Sequence, residues 1–525
     1  MTKKASPKVT YVTLSADESL HPKFEAELKR FKAKLGGHHP MFIGGRRVLS
    51  DSEFEDRSPI DTSIVVGHFQ IGTRDHAAAA ISAAKNGFDV WSETPWQERV
   101  KTMEKFAELV DKRKFEIAVA ITYEVGKTRL EALAEAWEAM DSVKYCAKLM
   151  RENDGYVTKM GPGGPGEHTV VLGRPYGVWP IISPFNFPFM LASGMAIGAL
   201  ITGNSVVLKP TSSAPLTGLM LYQAFSDAGV PTGAVNFVTG PGSGFEEEFT
   251  SNSDVAGIAF TGSRDVGMRL YRTFHAVQPF PKPILLEMGS KNPTIVTAKA
   301  DIKKAVEGTV RAAFGYSGQK CSATSRLYVQ KGIAKEFLAA LMARCNKIVV
   351  GDPRERDVFM GPVVNGSAVS KFEAVVKDAE ASGGKIVLGG TVLKGGALTR
   401  GYYVSPTVVT GLPRNHHLFK DELFLPFVVV GEFSAVEEAI AEANTTEYGL
   451  TAGIFTSDKA EIKKFFDEIK FGVTYANRSG GSTTGAWPGA QSFVGWNASG
   501  ATGRGVGGPN YLLNFLRDQS QTTVT

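Results

Sequence analysis

The sequence predicts an α/β protein built from two doubly wound units. Three observations lead there. From about residue 169 strand-like runs alternate with helix-like runs, which is the pattern of a parallel sheet covered by helices. The alternation begins afresh near residue 293. The chain, at 525 residues, is also too long for a single hydrophobic core.

The elements follow in order. Residues 1–40 read as an extension, with a charged helix over 22–35 whose Phe24, Leu28, Phe31 and Leu35 share one face. Met41-Phe-Ile-Gly-Gly-Arg-Arg-Val48 reads as a β-hairpin turning at Gly-Gly. Helices are predicted over 77–88, 95–114, 115–125 and 128–151. The first alternating set has strands at 177–182, 205–208, 234–238 and 257–260, with helices at 187–201 and 216–229. In the second set, strands at 293–296, 327–330, 385–388, 407–410, 427–433 and 453–456 are interleaved with helices at 301–314, 334–349, 370–382 and 435–444. The Gly/Ser/Thr-rich stretch 479–508 reads as an ordered loop region lining a site.

Composition excludes several classes. Hydrophobic residues make up 43% and charged residues 21%, as in a globular protein. A net charge of +5, spread along the chain without a basic block, gives no nucleic-acid footprint. Cys146, Cys321 and Cys345 are odd in number and far apart, so neither a metal site nor a disulfide framework is expected. The longest apolar run, 190–202, is too short to span a bilayer. Without a signal-like start, and with Asp17, Glu18 and Glu25 early in the chain, the expected location is the cytoplasm.

The chemistry concentrates at strand ends. In Gly315-Tyr-Ser-Gly-Gln-Lys-Cys-Ser-Ala-Thr-Ser-Arg326 a glycine-bounded loop carries Cys321. Read alone, this cysteine is either a reactive thiol, favoured as thiolate by the adjacent Lys320, or a small buried side chain. In Ser183-Pro-Phe-Asn-Phe-Pro188, Asn186 follows a strand and offers a neutral amide to a developing oxyanion, or serves as a turn residue. Lys209 closes the next strand, where an open parallel sheet binds ligands, or is a solvated lysine before a turn. Phe260-Thr-Gly-Ser263 turns from strand to helix and offers an anion site or a plain turn with a serine cap, and Gly240-Pro-Gly-Ser-Gly244 leaves room for close approach. Glu287 ends an apolar strand, where burial would raise its pKa into the range of a general base, or it makes a structural ion pair. Glu422-Leu-Phe-Leu-Pro426 adds a second glutamate. The literal GxGxxG at Gly503-Arg-Gly-Val-Gly-Gly508 lacks a preceding strand and is set aside.

Taken in this order, PFNFP, Lys-Pro, FTGS, the Leu-Glu strand before Gly-Ser-Lys, GQ-Lys-Cys and Glu-Leu-Phe-Leu-Pro resemble the aldehyde dehydrogenase superfamily over residues 41–525. Within it, the nearest resemblance is to the branch acting on L-glutamate γ-semialdehyde, the open form of Δ1-pyrroline-5-carboxylate. Gln319-Lys-Cys-Ser-Ala323, Thr484-Gly-Ala-Trp-Pro-Gly489 and Gly507-Gly-Pro-Asn-Tyr-Leu-Leu-Asn-Phe-Leu-Arg517 carry that likeness.

The resemblance implies a Rossmann-type cofactor domain (41–154 and 177–286), a second α/β catalytic domain (287–498), and a small β oligomerisation arm with the tail (155–176 and 499–525). It implies a homodimer or a dimer-based higher oligomer. It casts Cys321 as nucleophile, Asn186 with the Cys321 N–H as oxyanion holder, and Glu287 as the base for water. NAD would contact Ser183, Pro184, Phe185, Lys209, Ser212, Gly242, Gly262, Ser263, Glu422 and Phe424. Ser212 stands where many NAD-using relatives have glutamate, which leaves NADP open. The substrate would meet Glu138, Phe187, Lys320, Ser322, Gly485, Ala486 and Phe493, with Lys320 favouring an anionic substrate or pairing with a carboxylate. Ser290, Leu425 and Val494 depart from the superfamily pattern. Competing expectations are another semialdehyde, such as succinate semialdehyde, and a silent binding protein on the same fold. Glu287 speaks against a CoA-acylating enzyme.

Overall fold

A computed structural model of the chain describes residues 17–480 and 487–525. Its two largest sheets have seven strands each. In the first, Ile284–Glu287, Ile258–Thr261, Val178–Ser183, Ser205–Pro210 and Val235–Phe237 run parallel in that spatial order. The hairpin Met41–Ile43/Arg46–Val48 then adds an antiparallel edge. Gly44 and Gly45 make its turn with φ of 58° and 75°, the left-handed region that glycine enters without a Cβ penalty.

The second sheet is Lys385–Leu388, Thr407–Thr410, Phe427–Phe433, Thr324–Gln330, Asn292–Val296, Thr451–Phe455 and Val473–Ala476. It is parallel except at its first edge. Its central strands are mostly buried on both faces, as a helix-covered parallel sheet requires. A three-stranded sheet pairs Leu516–Val524 with Glu167–Pro175 and Val157–Lys159.

Sequence patterning divides 95–125 into two helices, but Trp96–Val125 is one continuous helix of 30 residues. The polar stretch Asp111-Lys-Arg-Lys114 stays helical, with Asp111 and Lys112 exposed and Arg113 and Lys114 partly buried, and the helix ends only at Gly126 (φ 72°). Short strands Gly37–His39, Glu53–Arg57 and Val65–Gln70, forming a small sheet, and the helices Glu246–Ser251 and Lys459–Glu468 were not anticipated. Their runs are too short or too polar to show a period.

Buried charges brace the helices beneath the first sheet. Glu135, on the helix Arg129–Glu152, accepts from the N–H groups of Phe189 and Met190 at 2.8 and 2.9 Å, at the start of the helix Met190–Ile201. Its other oxygen takes the ammonium of Lys127 at 2.7 Å, and both side chains are 0% exposed. Lys127 also lies 3.4 Å over the ring of Phe187. Removing one partner of such a pair strands a charge in low dielectric. Glu135→Ala is therefore expected to lower stability by about 3–5 kcal/mol, read by urea unfolding; a change within ~0.5 kcal/mol would contradict it.

Candidate active site

The two large sheets meet end to end. The first sheet's last strand ends at Glu287, and the chain enters the second sheet at Asn292. The carboxyl ends of the first sheet's strands thus face the loops that lead into the second sheet. One cavity of about 440 Å³ lies between them, lined by Ser183, Pro184, Phe185, Asn186, Lys209, Gly262, Ser263, Glu287, Cys321, Glu422 and Phe424, among others. A smaller apolar cavity of about 50 Å³ shares Thr261, Glu287, Met288 and Cys321 with it and extends to Glu138, Phe187, Ser322 and Phe493.

Cys321 is held by a strained turn. After the helix Ile302–Phe314, Tyr316, Ser317 and Gly318 take φ of 48°, 54° and 66°. Non-glycine residues there cost on the order of 1–3 kcal/mol each, so the surroundings must impose the conformation. Tyr316 donates its hydroxyl to the Val125 carbonyl at 2.8 Å, and Ser317 donates to the Gly361 carbonyl at 2.7 Å. A Cβ on Gly318 would sit 2.3 Å from the Leu425 carbonyl, so only glycine fits. Asn292 Nδ2 donates to the carbonyls of Cys321 and Ala323 at 2.7 and 2.9 Å and pins the loop from the other side.

The electrostatics differ from what adjacency in sequence suggests. Burial pushes the Cys321 thiol up to about 12, and the nearby carboxylates of Glu422 and Glu287 act in the same direction. Lys320 does not lower it. The Lys320 side chain turns away to an ion pair with Glu131 at 2.8 Å, 3% exposed, and lines neither cavity. Its expected thiolate-tuning and substrate-contacting roles are thus replaced by carboxylate pairing, because neighbouring side chains on a turn diverge. Burial raises Glu287 to about 8, and its Oε2 has no hydrogen-bond partner. The Asn186 Oδ1 is likewise buried without a partner. Cys146 and Cys345 are buried in the cores.

The rest of the larger cavity suits a dinucleotide. Lys209 is buried, which draws its ammonium down to about 8, and its one hydrogen bond among the described residues goes to the Pro210 carbonyl at 3.2 Å. That leaves donors for ribose or phosphate oxygens. Ser263 caps the helix Arg264–Val277, whose first N–H groups open on the cavity side where Gly262, Ser263 and Val266 line it. Burial raises Glu422 to about 7 even though the Ser290 N–H donates to it at 2.8 Å. Phe185 and Phe424 meet edge to face at 5.7 Å. A cofactor with hydroxyls, phosphates and a flat ring matches this donor set.

Ser212 and Gly242 do not reach the cavity wall; Gly242 is exposed, with open space where a Cβ would be. Gly485 and Ala486 lie outside the described residues. Thr211, Val266 and Lys371 line the larger cavity but were missed. Thr211 was legible, two residues after Lys209 at the same strand end. Lys371 was not, since it lies within the helix Gly366–Ala381 with no motif around it. It donates to the carbonyls of Glu422 and Leu423 at 3.3 and 2.7 Å and so helps place Glu422. Of the departures, Ser290 is accommodated because its hydroxyl accepts from the Leu450 N–H at 3.2 Å; at the neighbouring Gly289 a Cβ would fall 2.0 Å from Glu422 Oε2 and would displace that carboxylate.

Asn186→Ala is expected to lower kcat by about 10²–10³-fold, the usual cost of an oxyanion donor, with little change in cofactor affinity. Steady-state kinetics and a cofactor titration measure the two; an unchanged kcat would remove Asn186 from the chemistry.

The aldehyde dehydrogenase family profile matches residues 48–520. A 1-pyrroline-5-carboxylate dehydrogenase of Geobacillus sp. (strain WCH70) is 33% identical over 498 residues, covering 94% of each chain. The enzyme of the same name from Bacillus cytotoxicus is 34% identical over 504 residues, covering 95% of each. Among solved structures, 1-pyrroline-5-carboxylate dehydrogenase from Thermus with bound NAD aligns over 100% of both chains at 32% identity, with a TM-score of 0.93. Betaine aldehyde dehydrogenase from Staphylococcus aureus in complex with NAD+ aligns over 96% of this chain and 98% of its own, at 28% identity and a TM-score of 0.89.

Proposed function

The chain belongs to the aldehyde dehydrogenase family, and from that premise we propose that it oxidises L-glutamate γ-semialdehyde to L-glutamate with NAD. The observation that carries the reading is the convergence of Cys321, Glu287 and Asn186 on one cavity that continues past Phe187 and Phe493 to Glu138.

Each residue has a task set by its surroundings. The Cys321 sulfur adds to the aldehyde carbon once its thiol proton has passed to solvent, and the carbonyl oxygen becomes an oxyanion. The Asn186 amide and the Cys321 N–H hold that oxyanion, donors fixed before charge develops. Lys209, Ser263 and Glu422 would hold NAD, which would supply the acceptor for the hydride that the adduct loses as it becomes a thioester. Glu287 then takes a proton from water, the hydroxide attacks the thioester, and the C–S bond breaks to release glutamate and the thiolate. Splitting oxidation from hydrolysis lets one side chain serve each half.

On the substrate side, Phe187 and Phe493 flank the aliphatic chain. Ser322 meets the α-carboxylate. Glu138, raised to about 8 by burial and by the nearby Glu135, faces the α-ammonium. Protein–protein contact runs through the sheet of Val157–Lys159, Glu167–Pro175 and Leu516–Val524, which exposes Val157, Met160 and Val524 and joins two copies of the chain. No helix among the described residues is long and apolar enough to cross a membrane. Its three cysteines are free, in keeping with a reducing cytosol.

Steady-state rates on glutamate semialdehyde and succinate semialdehyde test the substrate. We expect kcat/KM to favour the amino-acid aldehyde by at least ~10-fold, a single lost polar contact being worth that much. Equal values would overturn the assignment. Running NAD and NADP side by side reads the preference between the two cofactors.

A further inference from the structure

Far from Cys321 in sequence, two histidines and a glutamate converge on the small sheet near the N-terminus. Strand Gly37–His39 runs parallel to Val65–Gln70, and the register sets His38 beside His68. Strand Glu53–Arg57 runs antiparallel on the other side of Val65–Gln70 and begins at Glu53. The His38 and His68 rings stack at 4.4 Å, and His38 Nδ1 lies 2.6 Å from Glu53 Oε2. One ligand atom from each of the three side chains falls within 4.8 Å of the other two.

We propose that His38, Glu53 and His68 bind a late first-row divalent cation, Zn²⁺ in the first instance, with water completing its shell. Two imidazoles and a carboxylate with an open position form a donor set that such cations favour. The cation takes the place of the proton shared between His38 Nδ1 and Glu53, and that proton leaves to solvent. The other oxygen of Glu53 is already oriented, since Gln70 Nε2 donates to Oε1 at 2.5 Å, and this outer contact aims the free oxygen at the histidines. His68 makes no hydrogen bond with its ring among the described residues, so to become a ligand it gives up only its stack on His38.

A second cluster, Asp378, His416 and His417, meets the same distance criterion but not the chemistry. Both His417 nitrogens are engaged, with Asp378 and Asp421. His416 Nδ1 accepts from the Leu418 N–H, so its Nε2 carries the proton and has no lone pair to offer.

Binding would tie together strands from three separated segments: the extension that carries the helix Leu20–Phe31, the strand at Glu53 and the strand at His68. Isothermal titration of chelator-treated, full-length protein with Zn²⁺ tests this, in a Cys321→Ala background so that the catalytic thiol does not compete. One site is expected, with an upward shift in Tm. His68→Ala should abolish both, and Gln70→Ala should weaken binding by about 10-fold or more. His38→Ala, whose side chain is 67% exposed, gives a second ligand deletion with little risk to folding. Titration unchanged by His68→Ala and His38→Ala, or abolished by His417→Ala, would overturn the proposal.

Discussion

Cys321→Ala is expected to abolish turnover, lowering kcat by ~10⁴-fold or more, while NAD still binds. The nucleophile's loss removes the covalent route, and no other thiol reaches the cavity: Cys146 and Cys345 are both buried in the cores. Cofactor binding should persist because Lys209, Ser263, Glu422 and the Phe185/Phe424 pair do not depend on the sulfur. Burial holds the thiol at about 12, so in the resting protein it is neutral at pH 7 and reacts only after losing its proton. Single-turnover reduction of NAD and a binding titration separate the two effects. Turnover within ~10-fold of the parent would refute the thioester route.

Glu287→Gln should stall the second half of the reaction. We expect kcat to fall by ~10²–10⁴-fold, the usual contribution of a general base. A burst of one NAD reduced per site should remain, because oxidation precedes the step that needs the base. Rapid-quench kinetics would show that burst; a loss of the burst together with kcat would place Glu287 in the first half instead. The pH dependence follows from its environment. Burial raises the carboxyl to about 8, so the base form grows as pH rises through 8 and is lost below it. Deacylation in the parent should slow steadily as pH falls below 8. The Glu287→Gln variant should show no such limb.

Much of this site could be read from the chain because it is assembled from strand ends. Asn186, Lys209, Ser263 and Glu287 each close or follow an apolar strand, and a parallel sheet must bring such ends to one edge. The turn at Tyr316–Gly318 was less legible. Its three left-handed residues are held by the carbonyls of Val125 and Gly361, which no local rule connects to it. Lys371 was invisible for a related reason: it sits in a helix, and only packing shows that its ammonium reaches the carbonyls of Glu422 and Leu423. The break expected in 95–125 failed because a run of consecutive polar residues inside a long helix looks, in sequence, like a loop.

Sequence by itself determined which residue types stand at which strand ends, and so which thiol, amide and carboxylate meet at one cavity. Tertiary structure decided their charge states and partners. Lys320 is the clearest case. Adjacency to Cys321 predicts a thiolate, but the fold carries the lysine to Glu131 and leaves the thiol facing Glu287 and Glu422. Burial and the electric field at a side chain arise from groups brought in by distant segments, and neither is encoded in the residue's immediate neighbours.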